Sequence, residues 1–244
     1  MTGGGRGIGR AIAEALGGAG ARVIVTGRRE GEIGEVASAL GGVAIVADLS
    51  TRAGVADLLA SVARDVGRVD VLVNNAGIAE SAPVDRTSDE SWDRQLELNA
   101  TVPFLLCRAL VPAMVKNGWG RVVNVASNAG RTGYAYTSAY CASKHALVGL
   151  TRAMAVELAR TGVTVNAVCP GWVKTDMAME AASRIAQKTK RSEADAEAAL
   201  AAMSPQNRLM EAGEVAHLVL ALAGDAARGV NGQAIPLDGG QVMA

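Results

Sequence analysis

The sequence predicts an α/β fold, with a doubly wound parallel sheet and helices on both faces. Three observations predict it. Short runs rich in Val, Ile and Leu alternate with helix-like runs from one end to the other. The short runs lack clean polar alternation, as strands covered on both faces require. A Gly-rich turn, Thr2-Gly3-Gly4-Gly5-Arg6-Gly7-Ile8-Gly9, leads directly into a helical pattern.

That first helix is expected over residues 9–16. An apolar run at 21–26 predicts the next strand, and a second at 42–47 follows it. Helical spacing then predicts a helix over 52–66, with a strand after it at 69–74. A helix is expected at 99–116, a strand at 120–126, and a helix at 138–160. The last elements are a strand at 163–168, a helix at 212–223 and a strand at 234–237. No Pro-, Ser- or Gly-rich linker interrupts the series, so one domain over residues 1–244 is expected. Two helices, 99–116 (with Phe104, Leu105, Leu106, Leu110 and Val111) and 138–160, are apolar around most of their circumference. A helix covering one sheet face needs only one apolar side. The excess predicts burial against other copies around two-fold axes, or under the segment 175–210.

Composition narrows the function. Half of the residues are hydrophobic but only 3% are aromatic, so the core must be Ala, Val, Leu and Ile. The 29 glycines point to tight turns and close backbone approaches. Lys and Arg total 24, as do Asp and Glu, so no basic field draws the chain to nucleic acid. No apolar run approaches membrane-spanning length, and no charged-then-apolar leader opens the chain. Cys107, Cys141 and Cys169 are odd in number, widely spaced and set in apolar segments. They read as buried free thiols of a reducing, cytoplasmic compartment, with no metal site.

The Gly-rich turn has the chemistry of a phosphate cradle. Gly3, Gly7 and Gly9 let the backbone turn sharply and approach a pyrophosphate. The helix that follows offers free N–H groups and the positive end of its dipole. The strand at 21–26 ends in Thr26-Gly27-Arg28-Arg29, where an acidic residue would favour NAD. Arg28, Arg29 and Arg6 suit a 2′-phosphate, so NADP(H) is expected ahead of NAD(H). Asp48, followed by Leu49, either accepts a hydrogen bond from an adenine amino group or caps the helix near Arg52. Asn74-Asn75-Ala76-Gly77 follows the strand at 69–74. Its amides can brace neighbouring loops, and Ala76 and Gly77 are small enough to let backbone lie against a cofactor.

Tyr140-Cys141-Ala142-Ser143-Lys144 places a phenol and an ammonium on one helix face. A phenol normally titrates near pH ~10. Lowering that by roughly 2–3 pH units takes about 3–4 kcal/mol, which Lys144 and a nicotinamide's positive charge can supply. Tyr140 would then give a proton to a carbonyl or take one from an alcohol. Ser127 ends the strand at 120–126, on the side where parallel sheets bind ligands, and its hydroxyl can hold a substrate oxygen. Asn99 heads the helix at 99–116, where it either anchors a water in a proton relay or caps the helix.

Together these residues resemble the short-chain dehydrogenase/reductase family over nearly the whole chain. The matching pieces are TGGGRGIG, NNAG, Asn99, Ser127, Tyr140-x-x-x-Lys144, and Pro170-Gly171 with Thr175. The resemblance implies a Rossmann fold and a catalytic tetrad of Asn99, Ser127, Tyr140 and Lys144. It implies that Lys144 also binds the nicotinamide ribose. It places residues 170–175 (Pro170, Gly171, Val173 and Thr175 among them) at the nicotinamide end. It also implies a homotetramer. Family members carry a full strand ahead of the Gly-rich turn, where only Met1 and Thr2 stand here. That suggests missing upstream residues, and unpaired backbone groups on the neighbouring strands are expected.

The segment 175–210 is expected to be the substrate lid. Its Arg184, Lys188, Lys190 and Arg191 suit the phosphates of coenzyme A or an acidic acyl carrier protein, or form a solvated helix face. The stretches SKHALVGL and TVNAVCPGWVKTDM resemble 3-oxoacyl-thioester reductases, 3-hydroxyacyl-CoA dehydrogenases and polyketide ketoreductases. The resemblance therefore implies reduction of a 3-oxoacyl thioester. The alternatives are a dehydrogenase of a small cyclic, sugar or steroid alcohol, and a non-catalytic dinucleotide sensor or scaffold, which would have no need of Tyr140 beside Lys144.

Overall fold

The computed structural model describes residues 1–243 of the 244. In order the elements are α1 (Gly7–Gly18), β1 (Ile24–Gly27), α2 (Glu30–Ala39), β2 (Val43–Val46), α3 (Arg52–Asp65), β3 (Val71–Asn74), α4 (Asp89–Leu96), α5 (Val102–Lys116), β4 (Gly120–Val125), α6 (Ser138–Glu157), β5 (Val163–Pro170), α7 (Asp176–Thr189), α8 (Glu193–Ala201), α9 (Ala212–Ala223) and β6 (Ala234–Leu237). Every expected strand and helix is present. Two helices escape the sequence pattern for physical reasons. Helix α2 carries Gly31 and Gly34, and α4 is so polar that it buries only Gln95.

All strand pairs are parallel: β1 with β2, and β3-β4-β5-β6 in that order. Between β1 and β3 lie Met1 and Thr2. Thr2 bridges Thr26, and its N–H donates to the Val73 carbonyl at 3.1 Å. Thr26 N–H donates to the Met1 carbonyl at 3.0 Å, and the Thr26 carbonyl accepts from Gly3 N–H at 2.8 Å. The backbone groups expected to be unpaired are thus filled beside the Gly-rich turn, where two residues hold the two parts of the sheet together.

The uninterrupted apolar strands feed two cores, one on each face. Val73, Val123, Val125 and Val168 pack with Ile12 and Leu16 of α1 and Val215 and Val219 of α9. Their neighbours Leu72, Val122, Val163 and Val165 pack with α3 and α5, through Leu58, Leu105, Leu106 and Val111. The period-two alternation of a strand sends successive Val and Leu residues to opposite faces, so both must be apolar.

Three expectations are corrected. Leu105, Leu106 and Val111 of α5, and Leu147 and Val148 of α6, are consumed by the chain's own cores. The large apolar side chains left exposed on these helices are Phe104, 43% exposed, and Val156, 80% exposed. Second, α4 and α5 join through a π-helical turn into one helix, Asp89–Lys116, long and apolar enough by composition to cross a membrane. Its apolar side is instead packed on the sheet. Third, Cys107 and Cys169 are buried, with burial pushing their thiols up to about 12 and about 11, whereas Cys141 is only half-buried.

Candidate active site

The carboxyl ends of β1 to β4 open into a cavity of about 560 Å³. At its centre is the Gly-rich turn. Gly3 and Gly7 adopt φ of +63° and +52°, a region that L side chains avoid. Gly9 lies so close to Gly3 that a Cβ there would meet its carbonyl oxygen at 2.0 Å. Among the described residues no side chain caps α1, so its first N–H groups face the cavity. Arg6, Ile8 and Gly9 line the wall with them. The tight glycines and uncapped dipole end fit a pyrophosphate.

Thr2 and Asn75 hold this turn against β3. The Thr2 hydroxyl accepts from the N–H groups of Asn75 and Ala76, both at 3.0 Å. Asn75 Nδ2 donates to the carbonyls of Thr2 and Gly3 at 3.0 and 3.1 Å. Ala76 and Gly77 continue along the cavity floor.

At one end lie Gly27, Arg28, Arg29, Asp48 and Leu49. Arg29 pairs with Glu32 one turn into α2, and Arg6 crosses to Asp176 of α7 at 3.0 Å. Among the described residues Arg28 has no ion pair, so of the three arginines its fork is the free one. The Glu32 partner was readable from its three-residue spacing to Arg29. Asp48 does not cap α3. Thr51 does, accepting from Gly54 N–H at 3.0 Å, while Asp48 accepts from the Ser50 N–H and hydroxyl, which hold its carboxyl below its ordinary range.

At the other end are Tyr140 and Lys144. Lys144 Nζ donates to the Val125 carbonyl at 3.0 Å and lies 5.8 Å from the centre of the Tyr140 ring. Burial lowers Lys144 to about 8. Burial also raises Tyr140 above its ordinary value, and only a hydrogen bond with Ser127 pulls the other way. The expected lowering by Lys144 is therefore absent from the protein alone. The ammonium faces a carbonyl and the ring, and desolvation outweighs it.

Asn99 is neither at a helix head nor a cap. It sits in the π-helical turn Glu97–Thr101, and a π turn inside an α-helix frequently marks a functional site. Its Nδ2 donates to the Ile78 carbonyl and to Ser143 Oγ, both at 2.9 Å, and its Oδ1 accepts from Ile78 N–H at 2.9 Å. A Cβ on Gly77 would lie 2.8 Å from Asn99 Oδ1 and 3.5 Å from Lys144 Nζ, so the two side chains converge over that glycine. Ser127 precedes the turn Asn128–Gly130 and accepts from Ala129 N–H at 3.1 Å.

Thr175 closes the cavity, its Cγ2 within 3.3 Å of where a Gly7 Cβ would be. Pro170, Gly171 and Val173 do not line it. Val173 is buried in the core and forms a bridge with Met210, which closes the base of residues 174–209. Within that segment α7 and α8 pack on each other through Ala182, Ala186, Ala196 and Leu200. Arg184, Lys188, Lys190 and Arg191 are exposed on it. Sequence reasoning missed Ile78, Glu80, Arg94, Leu98 and Met177, which also line the cavity and carry no motif.

The model of the short chain dehydrogenase family matches residues 1–186. D-beta-hydroxybutyrate dehydrogenase of Cupriavidus necator is 38% identical, aligned over 99% of this chain and 96% of its own. FabG of Escherichia coli (strain K12), a 3-oxoacyl-acyl-carrier-protein reductase, is 36% identical over 100% of this chain and 96% of its own. Among solved structures, a variant of the actinorhodin polyketide ketoreductase with NADPH superimposes with a TM-score of 0.94. It is 38% identical, with 99% of this chain and 95% of that chain covered.

Proposed function

This chain belongs to the short-chain dehydrogenase family of oxidoreductases acting on CH–OH groups, and within it we propose that it is an NADP(H)-dependent reductase of 3-oxoacyl thioesters. The observation that carries this reading is one cavity with a glycine cradle at its centre, the free Arg28 fork at one end and the Tyr140–Lys144 pair at the other. Gly3, Gly7, Ile8 and Gly9 would hold the cofactor's pyrophosphate, and Arg28 its 2′-phosphate. NADP is also the cofactor suggested by the ketoreductase relative, which was crystallised with NADPH. Asp48, Leu49, Asn75, Ala76 and Gly77 line the adenosine side. Lys144 would hold the nicotinamide ribose, and Thr175, which closes the cavity, would stand near the ring.

When bound, the cofactor supplies hydride to the ketone carbon. The chain's own residues handle the oxygen. Ser127 donates a hydrogen bond to it. Tyr140, kept protonated by burial, gives it a proton. The Lys144 ammonium then stabilises the phenolate left behind. Asn99 fixes the loop at Ile78 and, through Ser143, the start of α6. The exposed cations of the lid receive the phosphates of coenzyme A or the acidic face of an acyl carrier protein. The protein works in the cytoplasm as a homotetramer of single-domain subunits.

Following NADPH absorbance with acetoacetyl-CoA tests the proposal. Turnover is expected, at least about tenfold faster per unit concentration with NADPH than with NADH, because charge-assisted bonds to the 2′-phosphate are lost with NADH. No oxidation of NADPH above the ketone-free rate would overturn it.

A further inference from the structure

We infer that a turn near the end of the chain orients the Ser127 hydroxyl through Asn128, making Asn128 and Gln241 positioning residues for the reaction. The inference rests on the role proposed above for Ser127.

Asn128 directly follows Ser127 and is buried. Its Oδ1 lies 3.4 Å from Ser127 Oγ, and its Nδ2 donates to Gln241 Oε1 at 3.0 Å. Gln241 belongs to a turn folded around the Asp238 carboxylate. That carboxylate accepts from the N–H groups of Gly240 and Gln241 at 3.1 Å and of Val242 at 3.0 Å. The turn is clamped from outside as well. Ser204 Oγ donates to the Asp238 carbonyl at 3.0 Å, and Gly171 approaches so closely that a Cβ there would meet Asp238 Cβ at 2.8 Å. The far end of the Asn128 amide is therefore fixed by a rigid turn 113 residues along the chain.

The consequence falls on one proton. Ser127 Oγ already accepts from Ala129 N–H, so its orientation is settled by where its single O–H points. In the protein alone that proton has two acceptors, Asn128 Oδ1 and the Tyr140 oxygen. At 3.4 Å the bond to Asn128 is longer than an ordinary O–H···O contact, so a substrate oxygen displaces it easily. Asn128 thus holds the hydroxyl in place without competing strongly for it. The Tyr134 phenol also lies against the Asn128 side chain, and burial, pushing it up to about 12, keeps it neutral, so it brings no charge to the amide.

The test compares Asn128→Leu, Gln241→Leu, Gln241→Glu and the Asn128→Leu/Gln241→Leu double variant. It measures kcat and KM for the ketone, NADPH binding by fluorescence, and Tm. Both single Leu variants are expected to lose about tenfold in kcat with NADPH binding unchanged, and Gln241→Glu, which keeps an acceptor, to stay within about twofold of the parent. The double variant should be no slower than Asn128→Leu, because the two residues act in one series. Should Asn128→Leu fail to fold, the two Gln241 variants decide alone. Wild-type kcat in Gln241→Leu, or an equal loss in Gln241→Glu, would overturn the inference. A parent protein that reduces no ketone would instead overturn the function on which it rests.

Discussion

Lys144 carries a charge where water is scarce. Burial brings its ammonium down to about 8, so it starts to lose its proton just above neutrality. Below that pH the charge is present to stabilise the phenolate that Tyr140 becomes after giving up its proton. Above it that support is gone. The rate constant kcat/KM for the ketone, which reports groups of the free enzyme, is therefore expected to fall through a single ionisation near pH 8. A profile flat to about pH 10, the ordinary range of a lysine, would contradict that lowering. The Tyr140–Lys144 pair was legible because four residues on a helix define one face. The balance of forces on it was not, because desolvation depends on what other elements place around the pair. Arg28 and Arg29 show the same limit. Both were legible as cations, but only the structure shows that Arg29 is occupied by Glu32 and Arg28 is not.

Among the elements, α9 offers the sharpest local test. Its first turn is tied by Glu214, whose Oε2 accepts from Glu211 N–H at 2.7 Å while both oxygens accept from Arg208 at 2.7 Å. Those bonds hold the Glu214 carboxyl down to about 2 from 4.5. A depressed carboxyl stabilises the fold above its ordinary value and loses that contribution as pH falls through about 2. The Arg208 bonds contribute most to that lowering and the Glu211 N–H next, but because both side chains are partly exposed the pair's share of stability is screened. Glu214→Ala is expected to cost about 1 kcal/mol at pH 7, read from urea unfolding, with the difference shrinking as the pH approaches 2. An unchanged midpoint at pH 7 would contradict this. Strands were readable because a sheet covered on both faces forces unbroken Val and Leu. Helix α4 was not, because its polar surface leaves no apolar stripe. The π turn at Asn99 was invisible for a different reason: one extra residue per turn leaves no compositional trace.

For the whole molecule, the parallel order of strands brings four strand ends, one helix N-terminus and the start of α6 to a single cavity. That convergence was legible in outline from motif order, whereas long-range ties such as Asn128 to Gln241 have no sequence spacing to announce them. Assembly is the remaining large-scale feature. Phe104 is exposed on α5 although its neighbours are buried, so if the proposed tetramer forms through this face, Phe104→Glu is expected to shift it to smaller species in sedimentation velocity. A tetramer that survives the change would place the interface elsewhere. The chemistry proposed for the cavity stands on the Tyr140 proton. The most direct measurement is single-turnover oxidation of bound NADPH by acetoacetyl-CoA, in the parent and in Tyr140→Phe. Equal NADPH affinity is expected, with a loss of about 10²–10⁴-fold in rate for the variant, the usual worth of a general acid. A Tyr140→Phe protein that oxidises NADPH as fast as its parent would contradict that role.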